Sequence, residues 1–182
     1  MRTRGLLVLL GLMFGWVLAQ DQPDYQHRTL NRALAKDGVS GFTNLSEVCL
    51  PDSIQNTFTG KFFEISPAGD QYKYVYAGRV NSCRSGGCSA QGEPAGNSEY
   101  FDYFILFDAE KSVQVVKVFN YQATHGYEIT SRGWLKQFAG HDGSESLQVN
   151  KNIDAISGAT ISVQAITEDV QRQTSLLQRM KI

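Results

Sequence analysis

Apolar and polar positions along this chain recur first at helical spacing, then at every second residue, then at helical spacing again. From Gln22 to Asp37 the chain is mostly polar, with Leu30, Ala33 and Leu34 at helical spacing. That spacing predicts a short helix, stopped by Gly38. Pro51-Asp52-Ser53 offers a second helix start, because Asp and Ser accept hydrogen bonds from free backbone N–H groups. The segments Lys61 to Ser66, Tyr72 to Val80, Tyr100 to Asp108 and Ser112 to Tyr121 are rich in aromatic and β-branched residues and predict strands. Alternation puts Tyr72, Tyr74 and Tyr76 on one face of their strand. In the next strand Phe101, Tyr103, Ile105 and Phe107 share one face, and Asp102, Phe104, Leu106 and Asp108 the other. Asp108-Ala109-Glu110-Lys111 reads as the turn of an antiparallel hairpin. A polar loop follows from Gln122 to Thr130, then a short helix over Arg132 to Phe138, broken at His141-Asp142-Gly143-Ser144. The last element runs from about Thr160 to Met180, with Val163, Ile166, Val170 and Leu177 on one stripe and Gln171, Arg172, Gln178 and Lys181 facing water.

The sum is an α+β domain, an antiparallel sheet with helices packed on it. Its borders are set by the start of the chain. Arg2 and Arg4 precede an uncharged apolar run, Leu6 to Leu18, and Val17-Leu18-Ala19 ends in a small residue. This is the pattern of a cleaved export signal over 1–19, with an uncleaved membrane anchor as the alternative. Residues 20–60 then form an N-terminal helical segment and 61–182 the sheet-bearing domain. The 17 basic and 18 acidic residues give a net charge of −1 with no basic cluster, so a nucleic-acid partner is not expected.

Export places Cys49, Cys83 and Cys88 where thiols oxidise. Three cysteines leave one over. Cys83 and Cys88 enclose a flexible Arg-Ser-Gly-Gly loop and can pair, with Cys49 as the competing partner. Such a bridge reads as a staple, and a dithiol exchanging electrons is the alternative reading. The histidines His27, His125 and His141 lie at no metal-ligand spacing, so no metal site is assigned. A P-loop and a Gly-rich dinucleotide turn are both missing from the sequence, so NAD(P)H binding is not expected.

The chemistry concentrates ahead of the last helix, in Asp154-Ala155-Ile156-Ser157-Gly158-Ala159-Thr160. A helix start carries free N–H groups and the positive end of the helix dipole, which suits an anion. Gly158 and Ala159 are small enough for a phosphate to approach the backbone, and Ser157 and Thr160 add hydroxyls. An ordinary helix cap is the plain alternative.

Asp154, Ser157, Gly158, Ala159 and Thr160 together resemble the flavinylation motif of the FMN-binding domain family. That family includes the periplasmic flavin subunits of the sodium-pumping NADH:quinone reductase and of Rnf-type complexes. The resemblance covers roughly Tyr72 to Ile166. It implies FMN as cofactor, attached as a phosphoester to Thr160 by a flavin transferase outside the cytoplasm. It implies an exported flavoprotein that relays electrons between a membrane donor and an extracytoplasmic acceptor. A reductase with its own small-molecule substrate, or a module that has lost flavin, are the alternatives. Asp154 would shape the loop or be read by the transferase. Relatives often carry His-x-Glu-Thr-Pro-Gly in the preceding loop, whereas this chain has Thr124-His125-Gly126-Tyr127-Glu128-Ile129-Thr130. A flavin ring needs a flat, mostly apolar slot with a few donors, for which Tyr127, Thr130 and Trp134 are the candidates; Trp134 also reads as a core residue, and His125 as a hydrogen-bonding or proton-shuttling group.

Overall fold

The computed structural model describes residues 22–50, 60–82 and 99–182. The expected export signal, the expected helix start at Pro51 and the expected pairing of Cys83 with Cys88 fall outside the described residues. Cys49 is exposed and free.

Five strands form one antiparallel meander in chain order: β1 (Leu45–Glu47), β2 (Gly60–Ile65), β3 (Tyr74–Asn81), β4 (Tyr100–Phe107) and β5 (Val113–Tyr121). Among the described residues three α-helices pack on it: α1 (Arg28–Lys36), the single turn α2 (Arg132–Leu135) and the long α3 (Thr160–Arg179). The α+β reading holds. The N-terminal segment supplies more than a helix, since β1 within it pairs with β2 as the sheet edge. Among the described residues, no helix is long and apolar enough to cross a membrane.

The two faces of the sheet bury two separate cores. On one face Tyr74, Tyr76, Phe101, Tyr103, Ile105 and Phe107 meet Val163, Ile166, Val170 and Leu177 of α3. On the other face Val75, Ala77, Phe104 and Leu106 meet Leu30 and Leu34 of α1. Each of these two leucines contributes roughly 1.5–3 kcal/mol by leaving water, which fixes α1 to the sheet.

Tyr72 departs from its expected face. Strand β3 begins only at Tyr74, and Tyr72 packs against the α1-side core. Buried Asp37, just past the end of α1, accepts the backbone N–H groups of Gln71 (2.8 Å) and Tyr72 (2.9 Å). That clamp holds Tyr72 off the strand path, so period-two alternation does not reach it. The Asp108–Lys111 turn is as expected. Lys111 takes a left-handed φ of 64°, and Asp108 Oδ1 accepts from Ser112 N at 2.8 Å. The helix over Arg132 to Phe138 is one α turn continued by a tighter 3-10 turn, Lys136–Phe138.

His141, after that turn, ties the loop to the sheet: its carbonyl accepts from Val113 N at 2.8 Å. Its Nε2 is buried without a partner among the described residues, and burial pushes its pKa down, with Asp142 opposing. A histidine whose folded-state pKa is depressed adds stability above its unfolded value near 6.5, and that stability is lost as pH falls through the depressed value. The melting temperature of the protein is therefore expected to drop between about pH 7 and about pH 5. His141→Leu should flatten that part of the profile, as thermal melts across the range would show.

Candidate functional site

Gln137 and Trp134 set the loop that leads into α3. The Trp134 indole N–H donates to the Asp154 carbonyl at 2.8 Å, and the Asp154 N–H donates to Gln137 Oε1 at 2.8 Å. Gln137 Nε2 in turn reaches the Trp134 carbonyl at 3.1 Å. Both backbone groups of Asp154 are thus held from α2 and the turn after it, while its carboxylate points into solvent. Gly158 turns the chain at φ 81°, and a Cβ built there meets nothing within 4 Å. Ala159 is buried and occupies the N-cap position, with no side-chain bond to the helix start.

That arrangement corrects the plain-cap reading of Ser157 and Thr160. Alanine has no oxygen to offer, so the first-turn N–H groups of α3 are left for water or an anion. Thr160 is the first helical residue, exposed, beside those donors.

A pocket of about 190 Å³ opens at this point, lined by Ser82, Glu99, His125 and the run Gly158, Ala159, Thr160, Ile161 and Ser162. Its floor is a chain of hydroxyls. Buried Ser162 lies 2.7 Å from Ser82 Oγ at the end of β3 and 2.9 Å from the Tyr121 hydroxyl at the end of β5. Tyr121 also donates to the His125 carbonyl. Burial raises the Tyr121 pKa, and Glu99 and Glu128 add to this, while the bond to Ser162 opposes it. Tyr121 therefore stays a protonated donor through the physiological range.

Gly126 lets this loop close on α3. Its φ is 89°, and an added Cβ would lie 2.7 Å from Ser162 Oγ and 2.9 Å from the Tyr121 hydroxyl. Gly126→Ala is expected to cost about 1–2 kcal/mol from the left-handed backbone alone, with crowding added. Gly133→Ala, in α2 with the nearest atom 3.8 Å away, should instead be neutral or stabilising by up to about 1 kcal/mol. Urea denaturation of the two variants checks the contrast.

The remaining candidates divide. Tyr127 is 68% exposed and stands edge-on to Tyr121, with ring centroids 5.6 Å apart. Thr130 is half-buried at the end of a 3-10 turn and does not line the pocket. Trp134 is buried against Phe138 and holds Asp154, so its effect on the site runs through the loop. Ser157 is exposed beside the pocket but not part of its lining. Ser82, Glu99, Tyr121, Ile161 and Ser162 escaped the sequence reading. Ser162 had a signal: it lies one turn before Ile166 on the inward side of α3, where a polar residue needs a partner. Ser82 and Glu99 had none, since only strand pairing brings them to the helix start.

Residues 96–174, from just before β4 into α3, match the model of the FMN-binding domain. Among curated proteins none matches the chain.

Proposed function

The chain carries a domain of the FMN-binding family over residues 96–174, with FMN as its cofactor, and from that premise we propose that the flavin is held as a phosphoester of Thr160 in an exported protein that relays electrons. The observation that carries the proposal is the uncapped start of α3, with Ala159 at the N-cap and the exposed Thr160 hydroxyl at the mouth of the pocket. The residues present suit the phosphate end of FMN. Backbone donors and the helix dipole favour an anion there, and Gly158 leaves open space beside it.

The pocket is smaller than the roughly 300–1,000 Å³ typical of a whole small-molecule site. It would take the phosphate end, with the first turn of α3 and the Thr160 hydroxyl to hold it, and leave the ring to residues around its mouth. Of the three exposed large apolar side chains among the described residues, Ile161 lines this pocket, and Tyr127 stands edge-on to Tyr121, two residues along the loop from His125. Tyr127 offers an aromatic face or edge to a flat ring. Bound FMN supplies two-electron and one-electron exchange; the protein's part is to hold and orient it. Trp134 and Gln137 hold the loop in place, Tyr121 and Ser162 lock the His125 loop to α3, and Thr160 supplies the bond. A tether suits a protein that works outside the cytoplasm, where free FMN is scarce. The membrane donor and extracytoplasmic acceptor are then partners that meet the exposed ring.

Intact-mass measurement tests the reading. Protein coexpressed with a flavin transferase, then denatured and filtered, should carry the mass of one FMN less one water. Yellow protein that loses its colour on this treatment would replace the ester with non-covalent binding.

A further inference from the structure

Glu99 and His125 line the same pocket as Thr160, and Thr124 joins them. The Thr124 backbone N–H donates to Glu99 Oε1 at 3.1 Å, and the Thr124 hydroxyl bonds the same oxygen. The hydroxyl also lies 3.0 Å from His125 Nδ1. A hydroxyl has one proton, and a carboxylate only accepts. The Thr124 proton therefore goes to Glu99, and its oxygen accepts from an Nδ1–H of His125. This relay fixes the imidazole with a proton on Nδ1 and leaves Nε2 as the free end.

The charges around His125 decide what that free end does. Glu99 precedes β4 and Glu128 follows the loop, both near enough to raise the Tyr121 pKa. Tyr121 closes β5 as a neutral hydroxyl, Ser82 is neutral, and the first turn of α3 carries no acid. Of the described residues lining the pocket, His125 is the one whose side chain can become positive. A phosphodiester on Thr160 would be a permanent anion in the same small space.

We infer that His125 faces and neutralises the flavin phosphate, positioned by Glu99 through the Thr124 hydroxyl. The inference rests on Thr160 as the attachment point. It makes the imidazole a clamp on the tethered cofactor, with Glu99 placing the ring through Thr124.

Phosphorus NMR of the flavinylated protein tests it. A phosphodiester does not titrate near neutrality, so any movement of its resonance between about pH 5 and about pH 8 reports a neighbouring histidine. The wild-type resonance should move through one transition, and His125→Ala should abolish it. Thr124→Val, which removes the relay hydroxyl at constant shape, should shift the midpoint. In unloaded protein, nitrogen NMR should show His125 protonated on Nδ1, with a tautomer mixture in Thr124→Val. A flat wild-type profile, a transition that persists in His125→Ala, or an Nε2–H tautomer would overturn the inference while leaving the ester intact. If the loaded sample shows no phosphodiester resonance at all, the attachment at Thr160 fails first and the role of His125 with it.

Discussion

Thr160→Ala should abolish covalent flavin loading completely, with little change in stability. The variant is to be coexpressed with a flavin transferase beside the wild type and compared by intact mass. The loss should be total because an ester needs the hydroxyl oxygen, and alanine has none. The fold should be indifferent because Thr160 is exposed in the first turn of α3 and the N-cap position belongs to Ala159. Alanine is also the better helix former, so the melting point should move by less than the equivalent of about 0.5 kcal/mol. Thr160→Ser keeps the oxygen and should retain the ester. This set separates a modified residue from a structural one. A hydroxyl that mattered as a cap would cost about 1 kcal/mol on removal, without touching the mass of the mature protein. Mass gain that survives in Thr160→Ala would place the bond elsewhere and sink the assignment.

The second large effect is expected under the middle of α3. Asp169 is buried against the sheet, where its Oδ2 accepts the Tyr103 hydroxyl at 2.6 Å and its Oδ1 accepts Gln173 Nε2 at 2.9 Å. Arg172 pairs with the same carboxylate from the solvent side, its side chain 64% exposed. Burial, with the nearby Asp169 charge, pushes the Tyr103 pKa well up, so the phenol stays a donor. Asp169→Ala leaves two buried donors without an acceptor, at about 1–3 kcal/mol each. A total near 3 kcal/mol is expected. Arg172→Ala removes an exposed partner, and pairs of that kind contribute about 1 kcal/mol or less. Urea or thermal denaturation should therefore show a several-fold difference between the two variants. Equal effects would mean that the ion pair, and not the buried hydrogen bonds, holds the helix down. The effect reaches the site as well, because Asp169 is what fixes the axis of α3 over β4 and so the position of its first turn.

The hydrogen bonds of Asp169 do not follow from the pattern of the sequence. Spacing from Ile166 and Val170 puts Asp169, Gln173 and Thr174 on the inward side of α3, and all three polar side chains are buried there. Thr174 resolves its hydroxyl locally, on the Val170 carbonyl at 2.8 Å. Asp169 resolves its buried carboxylate on Tyr103 across the core and on Gln173 Nε2, while Gln173 Oε1 has no partner among the described residues. Asp102 behaves the same way on the other face. It is buried within an alternating strand because Arg79 Nε and Nη2 reach it at 2.7 and 3.0 Å, and Asn120 at 2.8 Å. Such pairings join residues far apart in sequence, and no local period carries them.

What the sequence determined by itself was whatever short-range physics decides. Period two laid out strands β2 to β5, and the turn at Asp108 paired the last two as a hairpin. The stripe of Val163, Ile166, Val170 and Leu177 gave α3 its length and its inward face. The run from Asp154 to Thr160 marked the helix start that suits an anion, because small residues and a hydroxyl at such a start have local consequences. Tertiary structure alone decided the rest of the site. It put Ala159 at the cap, it gave Trp134 the role of a clamp on Asp154, and it brought Ser82, Glu99 and His125 around Thr160, with Tyr121 bonded to Ser162 and to the His125 carbonyl. Those residues come from the ends of three strands and one loop. Their meeting depends on sheet order and on how α3 crosses the sheet, and both are set by the packing of two cores rather than by any neighbouring residues.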